Sequence, residues 1–220
     1  MLDSTLTGYD EDQTERGVKH PSLGLAKRVL DVVLAGAGLV VLAPLFGLVA
    51  VLIKLTSPGH VFYRRNVYGQ GGRVFVMLKF RSMVRNAHEM LLNDPKLRQE
   101  YENNLKIDHD SRITSLGRLL RRASIDELPQ LLNVLRGDMS LVGPRVLGDI
   151  ELQRYGRLRD KVLSVKPGIT GLWQVSGRQD TSFERRAALD AQYIDSWSFG
   201  SDVLILLKTV GAVFGMRGAR

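Results

Sequence analysis

The chain has 220 residues, 44% hydrophobic and 25% charged, enough for one globular domain with a real core and a small appendage. It has no cysteine, which excludes disulfides, Cys-ligated metals, iron–sulfur clusters and a thiol nucleophile. Its four histidines (His20, His60, His88 and His109) are too scattered for a zinc site, although a hard cation held by carboxylates stays open. The net charge of +8 asks for an anionic partner: nucleic acid, acidic lipid or a phosphorylated substrate.

Residues 1–22 are polar and acidic without apolar periodicity, and read as a disordered tail. Lys27 and Arg28 then precede an uncharged apolar run from Val32 to Ile53, closed by Lys54; its 22 residues match a membrane helix. It begins too late and is too long for a cleavable signal. Pro44 near its centre predicts a kink. Each arm then covers only about half of a roughly 30 Å hydrocarbon core, and the flanking positive charges give no sidedness. A kinked single span and a bent helix returning to the same face both satisfy these facts.

Beyond Pro58-Gly59, Val61–Arg65 and Arg73–Phe80 predict a β-hairpin turning at Gly69, Gly71 and Gly72. Polar helices follow from Ser82 to about Leu105, broken near Asp94-Pro95. A short basic amphipathic helix covers Ile113–Arg122, another Leu128–Leu135 up to Gly137, and two more Phe183–Tyr193 and Asp202–Val213. The last is apolar but too short to span, so it packs or lies at the interface. The fold class is therefore α+β, mostly α, divided as a tail (1–22), a membrane element (23–57) and a catalytic domain (58–220).

Charge is unevenly spread. No Asp or Glu occurs from Val32 to His88, where Lys54, Arg64, Arg65, Arg73, Lys79, Arg81 and Arg85 all lie; Ser111–Ile125 is also acid-free and carries Arg112, Arg118, Arg121 and Arg122. The plain reading is a solvated basic face or cations set against anionic lipid. Ser124-Ile-Asp-Glu-Leu-Pro129 opens a helix, with Ser124 and Glu127 as a capping box or Asp126 as the N-cap. Either way Asp126 and Glu127 sit side by side, and the helix dipole with Arg121 and Arg122 favours their ionised forms. An ionised Asp is a competent nucleophile toward phosphorus, and its neighbour can hold a divalent metal; helix capping alone also accounts for the pair. Gly143-Pro144-Arg145 suits a phosphate, Lys79 and Arg81 add two cations at a strand end, and Trp173, in a glycine-punctuated loop, suits stacking on a base or sugar or simple packing.

Taken together, Lys79-Phe-Arg-Ser-Met83, Ser124 to Ser140 (SIDELPQLLNVLRGDMS), Val142-Gly-Pro-Arg145 and Lys166 to Arg178 (KPGITGLWQVSGR), in this order behind a Pro-broken apolar helix, resemble the bacterial sugar transferases, the monotopic phosphoglycosyl transferases, over about nine-tenths of the chain. The resemblance implies transfer of a hexose-1-phosphate from a UDP-sugar to polyprenyl (undecaprenyl) phosphate, with UMP released. It implies Asp126 as nucleophile of a covalent, ping-pong reaction, Glu127 beside it, and Mg²⁺ on the pair. It further implies that Lys79, Arg81, Arg121, Arg145 and Gln174 bind substrate, while Asp190 and Tyr193 are structural or support the residues that do. It also favours a re-entrant helix broken at Ala43-Pro44, with the catalytic domain on the cytoplasmic face of the inner membrane. Glucose or galactose is the implied sugar; a homodimer is left open. Ala43 replaces a usual Ser, Arg65 and Val67 replace Gln and Arg, and Val146 replaces Pro. A basic nucleic-acid-binding module or a non-catalytic scaffold are the competing readings; aromatics at 7% argue against the first, and the intact acid pair against the second.

Overall fold

The computed structural model describes residues 24–105, 107, 109–176 and 182–214; the expected disordered tail lies outside them, as do Gly177 and Arg178. The apolar run forms one helix, α1 (Leu25–Thr56), that continues through Pro44. The two expected arms are thus one element, because a proline removes a single intrahelical donor while the turns around it keep theirs. Among the described residues it is the one helix long and apolar enough to cross a membrane. Its inner stripe recurs every three to four residues: Lys27, Asp31, Ala35, Leu39, Leu42, Leu45, Phe46, Val49 and Ile53. The opposite face leaves Val29, Val33, Val40, Val41, Leu48, Val51 and Leu55 exposed.

The hairpin forms as expected from β1 (Phe62–Tyr68) and β2 (Val74–Phe80), antiparallel, with Tyr63 opposite Lys79. Its turn runs through Gly71 and Gly72 at φ 69° and 75°, where a side chain would be strained. Phe80 packs edge-on against Phe46 and stacks on Phe62, which docks the second half of α1. The polar segment splits at Asp94-Pro95 into α2 (Ala87–Asn93) and α3 (Pro95–Asn104), Asp94 capping α3 through the amides of Lys96 and Leu97. The helices α4 (Ser115–Arg122) and α5 (Gln130–Arg136) follow, α5 stopping at Gly137 in the left-handed region.

The segments expected as loops carry structure that was not foreseen. β3 (Ser140–Val142) pairs in parallel with β4 (Gly168–Thr170), and α6 (Asp149–Arg154) and α7 (Arg159–Leu163) lie between them. A Cβ on Gly168 would meet the Gly143 amide nitrogen at 2.1 Å, and one on Gly143 the Lys166 carbonyl at 2.6 Å. These two glycines let backbone cross backbone, which supersedes the reading of Gly143 as a phosphate cradle. The short α8 (Leu172–Val175), then α9 (Phe183–Asp195) and α10 (Phe199–Phe214) complete a mostly helical α+β fold.

Buried polar contacts fasten α1 to this body. Asp31 accepts from Ser140 Oγ and the Leu141 amide, and Arg28 donates to the Val134 and Leu135 carbonyls at the end of α5. Lys27 Nζ lies 2.5 Å from Asp202 Oδ2 and also donates to the Val142 carbonyl; Tyr193 and Trp197 donate to the same Asp202 carboxylate. The sequence had suggested Lys27 and Arg28 as flanking charges, and both are structural ties.

Candidate active site

Asn133 of α5 is fully buried and acts as a strand partner for the outer edge of β2. Its Oδ1 accepts from the Leu78 amide at 3.1 Å and its Nδ2 donates to the Val76 carbonyl at 2.8 Å. Lys79, the next residue of β2, is thereby set beside the turn that leads into α5.

That turn is not the capped helix start expected from Ser124. Ser124 adopts φ 56° and its side chain caps nothing; Ile125–Glu127 make a 3₁₀ turn, and Pro129 stands where an N-cap would. The two carboxylates diverge in environment. Asp126 is 7% exposed, and Glu127 accepts from Lys79 Nζ at 2.5 Å. Burial, and then the neighbouring Glu127 charge, push the Asp126 carboxyl above its usual range against Lys79 and Arg121. Glu127 would also be raised by burial, but Lys79, then Arg145 and Arg121, hold it below. The expectation that both acids are favoured as anions therefore holds for Glu127 and is reversed for Asp126, where desolvation outweighs the nearby cations.

Three of the expected cations surround the pair. Lys79 touches it, and Arg121, steadied by its bond to Ser82 Oγ at 2.8 Å, acts on both acids. Arg145 acts on Glu127. Its backbone is braced by Asp190, whose Oδ2 accepts from the Arg145 amide and from the Tyr155 hydroxyl at 2.7 Å. Arg81 is engaged elsewhere: its guanidinium donates to the Ser57 and Pro58 carbonyls and holds the end of α1. Gln174 donates to the Ile169 carbonyl. Trp173 is 5% exposed, so it packs inside the domain and offers no stacking platform. Ala43 and Pro44 lie within α1, just before Leu45 and Phe46, which pack into the apolar cluster holding Phe80, Leu120 and Ile125.

Of the departures from the family pattern, Arg65 pairs with Glu151 at 2.9 Å and Val67 is a core residue, so both tie the hairpin to the body; Val146 packs against the same core. Asp190 and Tyr193 are buried, Asp190 against the Arg145 amide and Tyr193 against Asp202, in line with a structural or supporting part. Sequence reasoning missed Asp31, Asn133 and Arg186. A lone Asp beside an apolar run and a lone Asn within Leu-Leu-Asn-Val-Leu were the available signals, since a polar group on an apolar face needs a partner.

Burial drives the Asp190 carboxyl up to about 7, opposed by Tyr155 and Arg145. Between the unfolded value of about 3.9 and that point, the folded chain keeps a proton that the unfolded chain has lost. Asp190 therefore lowers stability by about 1.4 kcal/mol for each pH unit gained in this window and changes nothing further above it. Asp190→Asn should gain on the wild type from about pH 4 to pH 7 in paired thermal melts; a Tm difference that stays flat with pH would contradict this.

Among the described residues no group of three or more His, Asp or Glu gathers anywhere. The carboxylates that a hard cation could use are the adjacent Asp126 and Glu127, of which Glu127 is paired with Lys79.

The family model described as bacterial sugar transferase matches residues 23–216. The chain is 42% identical over 209 residues to the exopolysaccharide production protein ExoY of Sinorhizobium fredii, covering 93% of this chain and 92% of that one. It is 44% identical over 198 residues to the undecaprenyl-phosphate galactose phosphotransferase of Salmonella typhimurium, covering 88% of this chain and 41% of the relative. It is also 42% identical over 197 residues to the UDP-glucose:undecaprenyl-phosphate glucose-1-phosphate transferase of Caulobacter vibrioides, covering 86% and 70%.

Proposed function

The chain belongs to the bacterial sugar transferase family, and from that premise we propose that it moves a hexose-1-phosphate from a UDP-sugar to undecaprenyl phosphate, beginning a polysaccharide unit. The observation that carries this reading is the turn with buried Asp126 and half-buried Glu127, ringed by Lys79, Arg121 and Arg145.

A carboxylate oxygen of Asp126 attacks the phosphorus that bears the sugar. The bond from that phosphorus to the bridging oxygen breaks, and UMP leaves with the electron pair. An oxygen of the lipid phosphate then attacks the same phosphorus, the bond to Asp126 breaks, and the lipid diphosphate sugar departs with Asp126 restored. This is a ping-pong sequence. Burial strips water from the Asp126 oxygens, which favours attack once the group is ionised. Lys79, Arg121 and Arg145 balance charge on the phosphates as the bonds exchange, the main task in phosphoryl transfer. A Mg²⁺ on Asp126 and Glu127 would add Lewis-acid neutralisation of the diphosphate.

The acceptor is a membrane lipid, and the exposed apolar face of α1 gives the protein its place in the bilayer. Both ends of α1 bind the same body, Lys27 and Arg28 at one and Ser57 and Pro58 at the other. With a bend at Pro44 inside the continuous helix, this supports a re-entrant element whose two ends return to the side of the catalytic body, the cytoplasmic face of the inner membrane in this reading.

Protein purified in detergent, given undecaprenyl phosphate and a panel of UDP-glucose, UDP-galactose and their N-acetylated counterparts, should release UMP with at least one donor. Release should stop with EDTA and return with Mg²⁺. Silence with every donor would end this reading.

A further inference from the structure

Among the described residues, three buried side-chain atoms have no hydrogen-bond partner: Trp173 Nε1, Gln174 Oε1 and Asp190 Oδ1. Trp173 and Gln174 are neighbours in α8, and Asp190 braces Arg145 from α9. Of these only the Trp173 Nε1–H is a donor that an anion could meet; the two oxygens are acceptors, so the case for an anion rests on the cations beside them. The same place gathers like charges. The Arg145 guanidinium lies 5.5 Å from the centroid of the Trp173 ring and that of Arg186 lies 4.9 Å from it. The ring attracts each cation while the two repel one another. Burial, and then Arg145, hold the Arg186 guanidinium below its usual range. An anion reaching both guanidiniums would relieve that repulsion.

The electrostatic neighbours form a row: Glu127 acts with Arg145, and Arg145 with Arg186. With the sugar-bearing phosphorus at Asp126, the donor's second phosphate needs a cation beyond the acid pair, and Arg186, sharing the Trp173 ring with Arg145, is such a cation. We infer that Arg186 is a donor-binding residue, gripping together with Arg145 the phosphate that departs as the nucleoside monophosphate. The inference rests on the function proposed above and adds to it a residue that lies in none of the four motifs. A guanidinium suits the role because its planar fork meets two phosphate oxygens at once, which an ammonium cannot do.

The test uses the full chain in detergent with Arg186→Ala and Arg186→Lys, and titrates UMP and uridine by calorimetry beside steady-state kinetics. Loss of one charge-assisted grip should weaken UMP binding by about ten- to a hundredfold in Arg186→Ala, with Arg186→Lys recovering part of it. The affinity for uridine, which lacks the phosphate, should not move. KM for the UDP-sugar should rise with the UMP dissociation constant, and kcat should fall far less. If both variants bind UMP as the wild type does, Arg186 serves the fold alone and the inference is wrong, whatever happens to the melting temperature. If the wild type itself neither binds UMP nor releases it, the proposed function fails and takes this inference with it.

Discussion

Asp126→Asn should abolish UMP release, with a fall of at least about 10⁴-fold, because an amide has no anionic oxygen to offer phosphorus. The substitution preserves shape, and Lys79 keeps its 2.5 Å partner in Glu127. Burial penalises the charged form of Asp126, so a neutral amide there costs the fold nothing and can add to it. The expected pattern is therefore lost chemistry with a melting temperature equal to or above the wild type. Two readouts check it: turnover, and covalent labelling of the protein by a UDP-sugar radiolabelled in the sugar. Labelled Asp126→Asn protein, or turnover near the wild-type rate, would move the nucleophile to another residue.

The second large effect is on stability. Lys27 and Asp202 are 4% and 1% exposed at their side chains, so removing either charge leaves the other stranded in the core. Lys27→Ala should cost about 3–5 kcal/mol, roughly 10 °C in melting temperature, measured by denaturation in detergent. Replacing both partners by apolar residues, Lys27→Met with Asp202→Leu, should recover much of the loss, since the pair contributes less than the unpaired charge costs. The Tyr193 hydroxyl and Trp197 indole would still need the water or backbone that Asp202 now replaces, so recovery stays short of complete. A Lys27→Ala protein that melts with the wild type would mean that α1 is held by its apolar stripe alone.

Local signals in the sequence were good guides to structure. The long apolar run, the glycine cluster between Arg65 and Arg73, Asp94-Pro95 and Gly137 each fix backbone geometry within a few residues, and α1, the hairpin, the break before α3 and the end of α5 appear where they predict. The acid pair and three of its cations were likewise visible as residue types in a recognisable order. What escaped depends on contacts made across the chain. β3 and β4 have three residues each, too few to show alternation, and they pair 28 positions apart, Ser140 with Gly168. Lys27 and Asp202 stand 175 positions apart, so nothing local distinguishes that lysine from a membrane-flanking charge. The divergence of Asp126 from Glu127 is set by burial, which no helix-dipole argument contains. Arg81 and Trp173 were assigned by chemical type, yet the fold turns one onto a helix end and the other into the interior.

Asn133 bolts α5 to β2 through Leu78, one residue before Lys79, and the same helix is preceded directly by the turn carrying Glu127. The ammonium and the carboxylate are therefore mounted on a single stiff frame and cannot drift apart independently. An incoming diphosphate meets a socket whose charges were arranged during folding, so little reorganisation remains to be done on arrival.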